Sequence, residues 1–173
     1  MSKPAQSANK PIVSSAHLAE GASPALSELE FSLTLAAAAF QRWMSRCATA
    51  AGIPLSPVEV LIVHTVRHRD RPKKLADITL VLDLEDAHIA TYAISKLQKA
   101  GLVVTRREGK EKVVEITEAG RRFCQAYRDI RELLLVGASR SSEHSEAALS
   151  DIAAQLRLMS GRYNQAARAA ATL

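Results

Sequence analysis

A set of hydrogen-bonding side chains recurs at helical spacing between residues 85 and 100. This segment contains no Gly or Pro, and Gly101 follows it where a left-handed helix cap would fall, so we expect one helix. Its apolar face would comprise Ala90, Ala93, Ile94 and Leu97. The opposite and flanking positions can form hydrogen bonds or contact a phosphate, and they hold His88, Thr91, Tyr92, Ser95, Lys96 and Lys99. An ordinary solvated helix would carry a similar face, so this helix alone leaves both interpretations open.

Basic residues crowd the segment that follows, residues 102–117. β-Branched residues on either side of a short Gly-containing turn at residues 108–111 predict a two-stranded hairpin. A cluster of positive charges on a protruding ribbon is suited to phosphate contact. The residues concerned are Arg106, Arg107, Lys110 and Lys112.

Two further elements precede the polar helix. Residues 75–82 have the pattern of a short amphipathic helix, and residues 83–86 form a polar turn that can cap the next helix. A helix, a turn, a second helix and a hairpin together make a winged helix-turn-helix. The fold class predicted is therefore mainly α, with a small β-hairpin wing.

The run from Leu55 to Gly120 resembles the DNA-binding core of the MarR (multiple antibiotic resistance regulator) family of winged-helix transcription factors. The resemblance is carried by the Leu-x-x-x-Gly-Leu-Val stretch from Leu97 to Val103, combined with Ile116-Thr-Glu-Ala-Gly120. Family wings commonly carry an Asp-x-Arg in a longer loop, whereas this chain has Glu-Gly-Lys-Glu-Lys at residues 108–112. The resemblance also implies a cleft for a small-molecule effector, between the dimer helices and the DNA-binding lobe, lined by Phe40, Trp43 and His64.

Long helices are predicted at both ends of the chain. Apolar residues step by three and four from residue 25 to Gly52, and again from residue 146 to Ala170. Between them, a capping box at Ser56–Glu59 starts a helix that reaches about His68, and another helix follows Thr117. These apolar residues form a seam along each terminal helix, and a homodimer would cover the apolar surface of both seams. The interface residues predicted are Leu29, Leu33, Leu156, Met159 and Tyr163.

The domain organisation predicted is a disordered arm at residues 1–24 followed by one winged-helix domain at residues 25–173. Within that domain, residues 55–117 form the DNA-binding lobe, and residues 25–52 and 118–172 form dimerisation helices. The arm is rich in Ser, Ala, Lys and Pro and shows no usable period.

Composition favours an anionic partner. The 173 residues carry a net charge of +5, are 47% hydrophobic and only 4% aromatic. Part of the excess charge lies between Arg67 and Lys74, where a solvated loop and phosphate contact are both consistent with the sequence. The two cysteines, Cys47 and Cys124, have neither zinc nor disulfide spacing, and no leader or membrane span is evident, which favours the cytoplasm.

Motifs for catalysis are not found in the sequence. His64 and His68 stand at i and i+4, but no third ligand lies at a motif distance, so we expect no metal or other cofactor. A phosphate-binding glycine loop and a nucleophile elbow are likewise missing, and an enzyme is not expected.

The function predicted is a homodimeric transcription regulator that binds a specific, palindromic DNA duplex. Tyr92 and Ser95 would read bases in the major groove, while Thr91, Lys96 and the wing would contact the backbone. The alternative is a winged helix that binds another protein. Salt dependence separates the two, because neutralising phosphates gives a log–log slope of about −0.9 per contact.

Overall fold

The computed structural model describes residues 11–109, 111–137 and 145–173. The helices of this part are α1 (Ala16–Ala19), α2 (Pro24–Ala50), α3 (Pro57–Arg67), α4 (Leu75–Val81), α5 (Ala87–Lys99), α6 (Glu118–Arg131) and α7 (Glu146–Ala170). The strands are β1 (Lys73–Lys74), β2 (Val103–Glu108) and β3 (Glu111–Ile116). A 3₁₀ turn at His68–Asp70 follows α3, and a π-helical segment at Glu132–Val136 follows α6.

The chain divides into two compact units, one that ends at Tyr127 and one that runs from Arg128 to Leu173. The boundary falls within α6. The winged helix-turn-helix lies entirely in the first unit, and α7 lies in the second. A single domain over residues 25–173 therefore stays a prediction.

The sheet has three antiparallel strands in the order β1-β3-β2. The predicted hairpin is confirmed as β2 and β3, paired from Val103 with Ile116 to Glu108 with Glu111. Strand β1 was not predicted from the sequence, because two lysines have little intrinsic preference for a strand. Lys73 and Lys74 pair with Val114 and Val113 only because the fold brings them to that edge.

The helix α5 has well-formed caps at both ends. The Asp86 carboxylate accepts a hydrogen bond from the His88 amide at 2.7 Å. At the other end Gly101 has a φ of +72°, and the amides of Leu102 and Gly101 donate to the carbonyls of Leu97 and Gln98. This is the Schellman arrangement, and it turns Leu102 back into the core, where it is fully buried.

The two halves of the stretch that resembles the MarR family meet in space. Thr117 Oγ1 donates to the Gly101 carbonyl at 2.7 Å and accepts from the Gly120 amide at 3.0 Å. A methyl group at Gly120 would collide with the Leu102 carbonyl oxygen. The spacing of the two half-motifs therefore reflects one junction, where the end of α5 packs on the start of α6.

The core of the first unit lies under α5. The predicted apolar face, Ala90, Ala93, Ile94 and Leu97, is buried, together with Ile62 and Val66 of α3 and Ile78 of α4. The capping box of α3 is confirmed, since the Ser56 amide donates to Glu59 Oε2 at 2.8 Å and Ser56 Oγ accepts from the Glu59 amide at 3.4 Å.

The segment predicted as a disordered arm is described from residue 11 onward. It contains α1, and Ser27 Oγ of α2 donates to the Leu18 carbonyl at 2.7 Å. One helical turn is too short to show a period in the sequence, which is why the pattern did not indicate it. Residues 1–10 lie outside the described part.

The second unit contains the last residues of α6, the π-helical segment and α7. Ser145 caps α7 by accepting a hydrogen bond from the Ala148 amide at 3.2 Å. None of the residues of α7 is buried within the described chain. Its apolar residues Leu149, Ile152 and Leu156 are all exposed.

Candidate nucleic-acid interface

The exposed face of α5 is the centre of the candidate site. All six side chains selected from the sequence, His88, Thr91, Tyr92, Ser95, Lys96 and Lys99, are exposed on this helix. Tyr92 stands out with 65% of its surface exposed. Ile89, also exposed, adds an apolar residue to this face that the sequence interpretation did not include. The buried apolar face of α5 determines which side of the helix faces outward.

The polar residues of this face differ in their free hydrogen-bonding groups. Thr91 Oγ1 donates its proton to the Ala87 carbonyl at 2.9 Å, so it can offer an acceptor but not a donor to a partner. Ser95 has no hydrogen bond to the described residues and keeps both functions. A phosphate oxygen only accepts, so Ser95 in this geometry can serve a phosphate or a base edge, and Thr91 only a donor such as a base amino group.

Lys96 is already engaged within the protein. Its ammonium lies 3.5 Å from Glu59 Oε1 and 5.1 Å from the centre of the Tyr92 ring. Coulombic attraction to Glu59, followed by that to Tyr92, raises the pKa of Lys96. Lys99 lies nearly one turn further along the same helix, and it has no ion pair with the described residues.

The wing separates its cations onto two faces. Arg106 forms ion pairs with Glu108 at 2.8 Å and Glu115 at 3.3 Å. Arg107 and Lys112 are direct cross-strand partners on the other face, and neither has an ion pair with the described residues. Like charges placed opposite each other are destabilising unless an anion lies between them. Lys110 lies outside the described residues.

The same face of the wing is joined to α5. Gln98 Nε2 donates to Thr105 Oγ1 at 2.9 Å, and Thr105 precedes Arg107 by two residues on β2. Side chains two residues apart on a strand share a face. Arg107 and Lys112 therefore lie on the face of the wing that is bonded to α5, and they line a shallow groove with Thr105 and Arg106.

The basic segment before α4 is largely occupied by internal contacts. Lys73 is buried, and its ammonium donates to the carbonyls of His68 and Arg71, both at 2.7 Å. Lys74 forms an ion pair with Glu111 at 2.6 Å. Asp70 contacts Arg67 at 3.3 Å and Arg121 at 2.7 Å, and the hydrogen bond from Arg121 is the main cause of its lowered pKa. Lys73 cannot contact a phosphate in this conformation, because its side chain is buried and its ammonium is hydrogen-bonded to two backbone carbonyls.

The residues predicted to line an effector cleft have different environments. Phe40 on α2 is exposed, while Trp43 on α2 and His64 on α3 are half-buried. The His64 ring packs edge-on against Tyr127 of α6, with 4.7 Å between ring centres, and burial lowers its pKa. His64 Nε2 is buried without a hydrogen-bond partner in the described residues. Tyr127 was missed as a site residue, although its spacing of four from Phe123 marks it as apolar-facing.

Both thiols are buried. Cys47 Sγ donates to the Tyr127 carbonyl at 3.6 Å, and burial raises its pKa. Burial raises the pKa of Cys124 to about 11, with Arg67 acting weakly in the opposite direction. A thiol of this kind is protonated near neutral pH, whereas thiolates are the reactive form.

The predicted dimer residues can be placed only within their own helices. Leu29 and Leu33 of α2 are half-buried, as is Met159 of α7. Leu156 and Tyr163 of α7 are exposed. Among the described residues, no group of three or more His, Cys, Asp and Glu side chains could hold a metal ion. The described helices include none that is long and apolar enough to cross a lipid bilayer.

Comparison with known proteins identifies the class of domain that carries α5 and the wing. Residues 55–120 match the family described as a winged helix DNA-binding domain. A MarR-family transcriptional regulator from Rhodococcus sp. has a similar structure, with a TM-score of 0.63 at 13% identity, covering 76% of this chain and 91% of that chain. Comparison with the curated protein sequences gives no match.

Two further solved structures are similar. A mutant MarR from E. coli, complexed with operator DNA, has a TM-score of 0.64 at 12% identity, covering 80% of this chain and 98% of that chain. CouR from Rhodococcus jostii, bound to p-coumaroyl-CoA, has a TM-score of 0.63 at 14% identity, covering 76% of this chain and 90% of that chain.

These findings define the protein as one that carries a winged helix-turn-helix DNA-binding domain over residues 55–120. The fold around that domain is MarR-like, and the resemblance stated from the sequence is confirmed. At these identities the structural likeness establishes the fold, and the roles of individual residues rest on the geometry of this chain.

Proposed function

We propose that this protein is a transcription regulator that binds a specific DNA duplex as a homodimer, with α5 in the major groove and the wing on the phosphate backbone. One observation carries the proposal. The exposed hydrogen-bonding face of α5 adjoins a wing face whose two cations, Arg107 and Lys112, have no carboxylate partner among the described residues. The major groove of B-DNA admits an α-helix and presents a distinct pattern of donors and acceptors for each base pair.

Within this arrangement, Tyr92 and Ser95 read base edges, because they lie near the centre of the exposed face. Ser95 also has no hydrogen bond to the described residues. His88 and Thr91 flank them, and Thr91 faces a base amino group rather than a phosphate. Lys99, Arg107 and Lys112 contact phosphates. In this division, the hydrogen bonds to base edges recognise the DNA sequence, and the charged contacts to phosphates set the position of the protein on the duplex.

The homodimer would pair the apolar seams of the terminal helices, through Leu29, Leu33, Leu156, Met159 and Tyr163. Two recognition helices must lie ~34–36 Å apart to enter successive major grooves on one side of the duplex. The 27-residue α2 is about 40 Å long at 1.5 Å per residue, which is long enough to act as a spacer. A two-fold dimer implies a palindromic operator.

A small-molecule effector is the second part of the proposal, since CouR is described with p-coumaroyl-CoA bound. The cleft assigned to it from the sequence contains Phe40, Trp43 and His64, which combine aromatic surface with a buried ring nitrogen that lacks a partner in the described residues. A DNA-binding regulator must be in the same compartment as its operator, so we assign the protein to the cytoplasm.

The test is selection of bound duplexes from a random pool, followed by binding measurements over a range of salt concentrations. We expect a palindromic consensus and an affinity that falls steeply with salt, by about 0.9 in the log–log slope for each phosphate contacted. Tyr92→Ala should bring the affinities for the consensus and for a shuffled duplex closer together. Recovery of no consensus would overturn the proposal.

A protein-binding role is the second candidate. It is favoured by Leu80 and Val81 at the end of α4, the first helix of the helix-turn-helix, where they are 81% and 68% exposed. An apolar protein interface would show little dependence on salt. Replacing both residues with Ser should leave binding to the selected duplex unchanged if they serve a protein partner only.

A further inference from the structure

A buried carboxylate connects the start of α3 to the exposed face of α5. Glu59 is only 5% exposed, and its two oxygens have separate partners. Oε2 accepts a hydrogen bond from the Ser56 amide at 2.8 Å, and Oε1 lies 3.5 Å from the Lys96 ammonium. A buried charge is costly unless an opposite charge compensates it. Lys96 supplies that charge from the next layer of the fold.

The same ammonium lies near Tyr92, which is 65% exposed on α5. Lys96 Nζ is 5.1 Å from the centre of the Tyr92 ring, within the range of a cation–π interaction. The two residues are four apart on a helix, so their side chains are neighbours on one face. Glu59 therefore fixes Lys96, and Lys96 in turn limits the directions that the Tyr92 ring can take.

We propose that Lys96 is a positioning residue for Tyr92, anchored by Glu59, and that it is not a phosphate contact. The proposal rests on the proposed function, in which α5 reads DNA, and it revises the role that the sequence alone gave to Lys96. To reach a phosphate, the ammonium would have to leave a buried carboxylate without its counter-charge. Held in place, it directs the Tyr92 hydroxyl toward one base position and so determines specificity.

Binding measurements can separate the two roles, because a phosphate contact and a positioning contact change different quantities. Loss of a phosphate contact flattens the salt slope and weakens all duplexes alike. Loss of a positioning contact leaves the slope unchanged and lowers the ratio of the affinities for the selected and the shuffled duplex. Lys99 is the matched control, since it is an exposed lysine on the same helix without an ion pair to the described residues.

The experiment uses the full chain and the duplex selected as described above. Lys99→Gln should flatten the slope by about 0.9 per bound subunit and keep the affinity ratio. Lys96→Gln should keep the slope and lower the ratio by about tenfold, the size of one lost base contact. Lys96→Arg retains the charge and the stacking on the ring, so it should restore most of the ratio.

Two further variants test the chain of contacts. Glu59→Gln keeps the capping hydrogen bond, because Gln serves at this position of a capping box, but it removes the charge that holds Lys96. It should lower the ratio as Lys96→Gln does, and the double variant should lose no more than either single one. In a Tyr92→Ala background, Lys96→Gln should have no further effect on the ratio. Thermal unfolding confirms that each variant is folded, and if Glu59→Gln is not, the Lys96 variants decide alone.

The inference is overturned if Lys96→Gln flattens the slope as Lys99→Gln does and leaves the affinity ratio unchanged. Tighter binding to both duplexes and a steeper slope in Glu59→Gln would also overturn it, since a released Lys96 would then be acting on phosphate. Failure of the proposed function has a different signature, because the wild-type protein would then prefer no duplex over another.

Discussion

Formal charge does not distinguish the basic residues of the wing, but their neighbours do. Arg106 lies between Glu108 and Glu115, so its guanidinium is already compensated. Arg107 and Lys112 lie opposite each other without a carboxylate partner in the described part of the chain. Phosphate binding releases counter-ions only when a cation is free to replace them. The two faces of the wing should therefore contribute unequally.

We predict that Arg107→Ala flattens the log–log salt slope of DNA binding by about 0.9 for each wing in contact with the duplex. The variant should weaken the selected and shuffled duplexes by a similar factor. Arg106→Ala is the matched control on the adjacent position, and its slope should stay near that of the wild type. Equal flattening in both variants would show that the internal ion pairs of Arg106 do not restrain it.

A second residue-scale prediction concerns the pH dependence of stability through His64. Burial lowers the pKa of His64 from its ordinary value of 6.5, so the unfolded chain binds the proton more readily than the folded chain. The free energy of unfolding should then fall as the pH drops below about 6.5. Urea unfolding of the wild type and of His64→Leu between about pH 7.5 and pH 5 tests this.

The expected result is a shallower fall in stability for His64→Leu than for the wild type. His68 provides the control, because it is exposed one turn further along the chain, and His68→Leu should keep the wild-type pH dependence. A wild-type slope in both variants would mean that the His64 ring gains its proton without loss of its packing against Tyr127.

At the scale of elements, one junction determines how α5 meets the wing and α6. Gly101 turns the chain after α5, and the Thr117 hydroxyl donates a hydrogen bond to the Gly101 carbonyl. Gly120 lets α6 approach the backbone of Leu102. Each contact joins segments that are about one hairpin apart in sequence. A change at this point should therefore affect folding rather than a direct contact with DNA.

We predict that Gly120→Ala destabilises the protein by about 1–3 kcal/mol, the usual cost of overpacking a filled site. The new methyl group would meet the Leu102 carbonyl oxygen and the side chain of Ile116. Thermal and urea unfolding provide the measurement.

Gly161→Ala is the control with the opposite sign. Gly161 lies within α7, and outside its own helix backbone no heavy atom of the described residues lies within 4 Å of an added Cβ. Alanine there should stabilise its helix by about 0.5–1 kcal/mol. A Gly120→Ala protein as stable as the wild type would show that the helix can shift without cost.

At the scale of the whole molecule, the second unit has little core of its own. None of the residues of α7 is buried in the described chain, and Leu133 and Leu134 of the π-helical segment are exposed as well. Apolar helical surface on this scale is typical of an interaction site. The proposed homodimer would cover it.

We predict that Leu156→Glu weakens self-association and, with it, binding to a palindromic duplex, because a carboxylate would be buried at the seam. Leu158→Glu is the matched control. Leu158 is 62% exposed and lies about 200° around the helix from Leu156, so it should face away from that seam. Sedimentation at several protein concentrations measures the first effect, and titration of the duplex measures the second.

Removal of residues 145–173 should have the larger effect, while the winged helix in the first unit remains folded. A truncated protein that still sediments as a dimer and binds the full palindrome with wild-type affinity would place the dimer contacts elsewhere.

The sequence by itself determined the longer helices, the hairpin and their order, although not α1 or β1. Local signals were sufficient there, because helix periods, the Ser56–Glu59 capping box and Gly101 act over a few residues. The buried face of α5 followed from the same spacing, and so did the outward position of its polar residues. The resemblance over residues 55–120 added the class of fold, since its half-motifs at Gly101 and Gly120 form one junction.

Only the tertiary structure decided which charges are free. The pairing of Lys96 with Glu59 joins residues 37 positions apart, and that of Asp70 with Arg121 joins residues 51 apart. The strand β1 and the burial of Lys73 likewise depend on where the wing lies. Coulombic and hydrogen-bond energies depend on distance in space, which a pattern along one chain does not record. For that reason the exposed face of α5 could be predicted from the sequence, whereas the ion pairs of each cation near it could not.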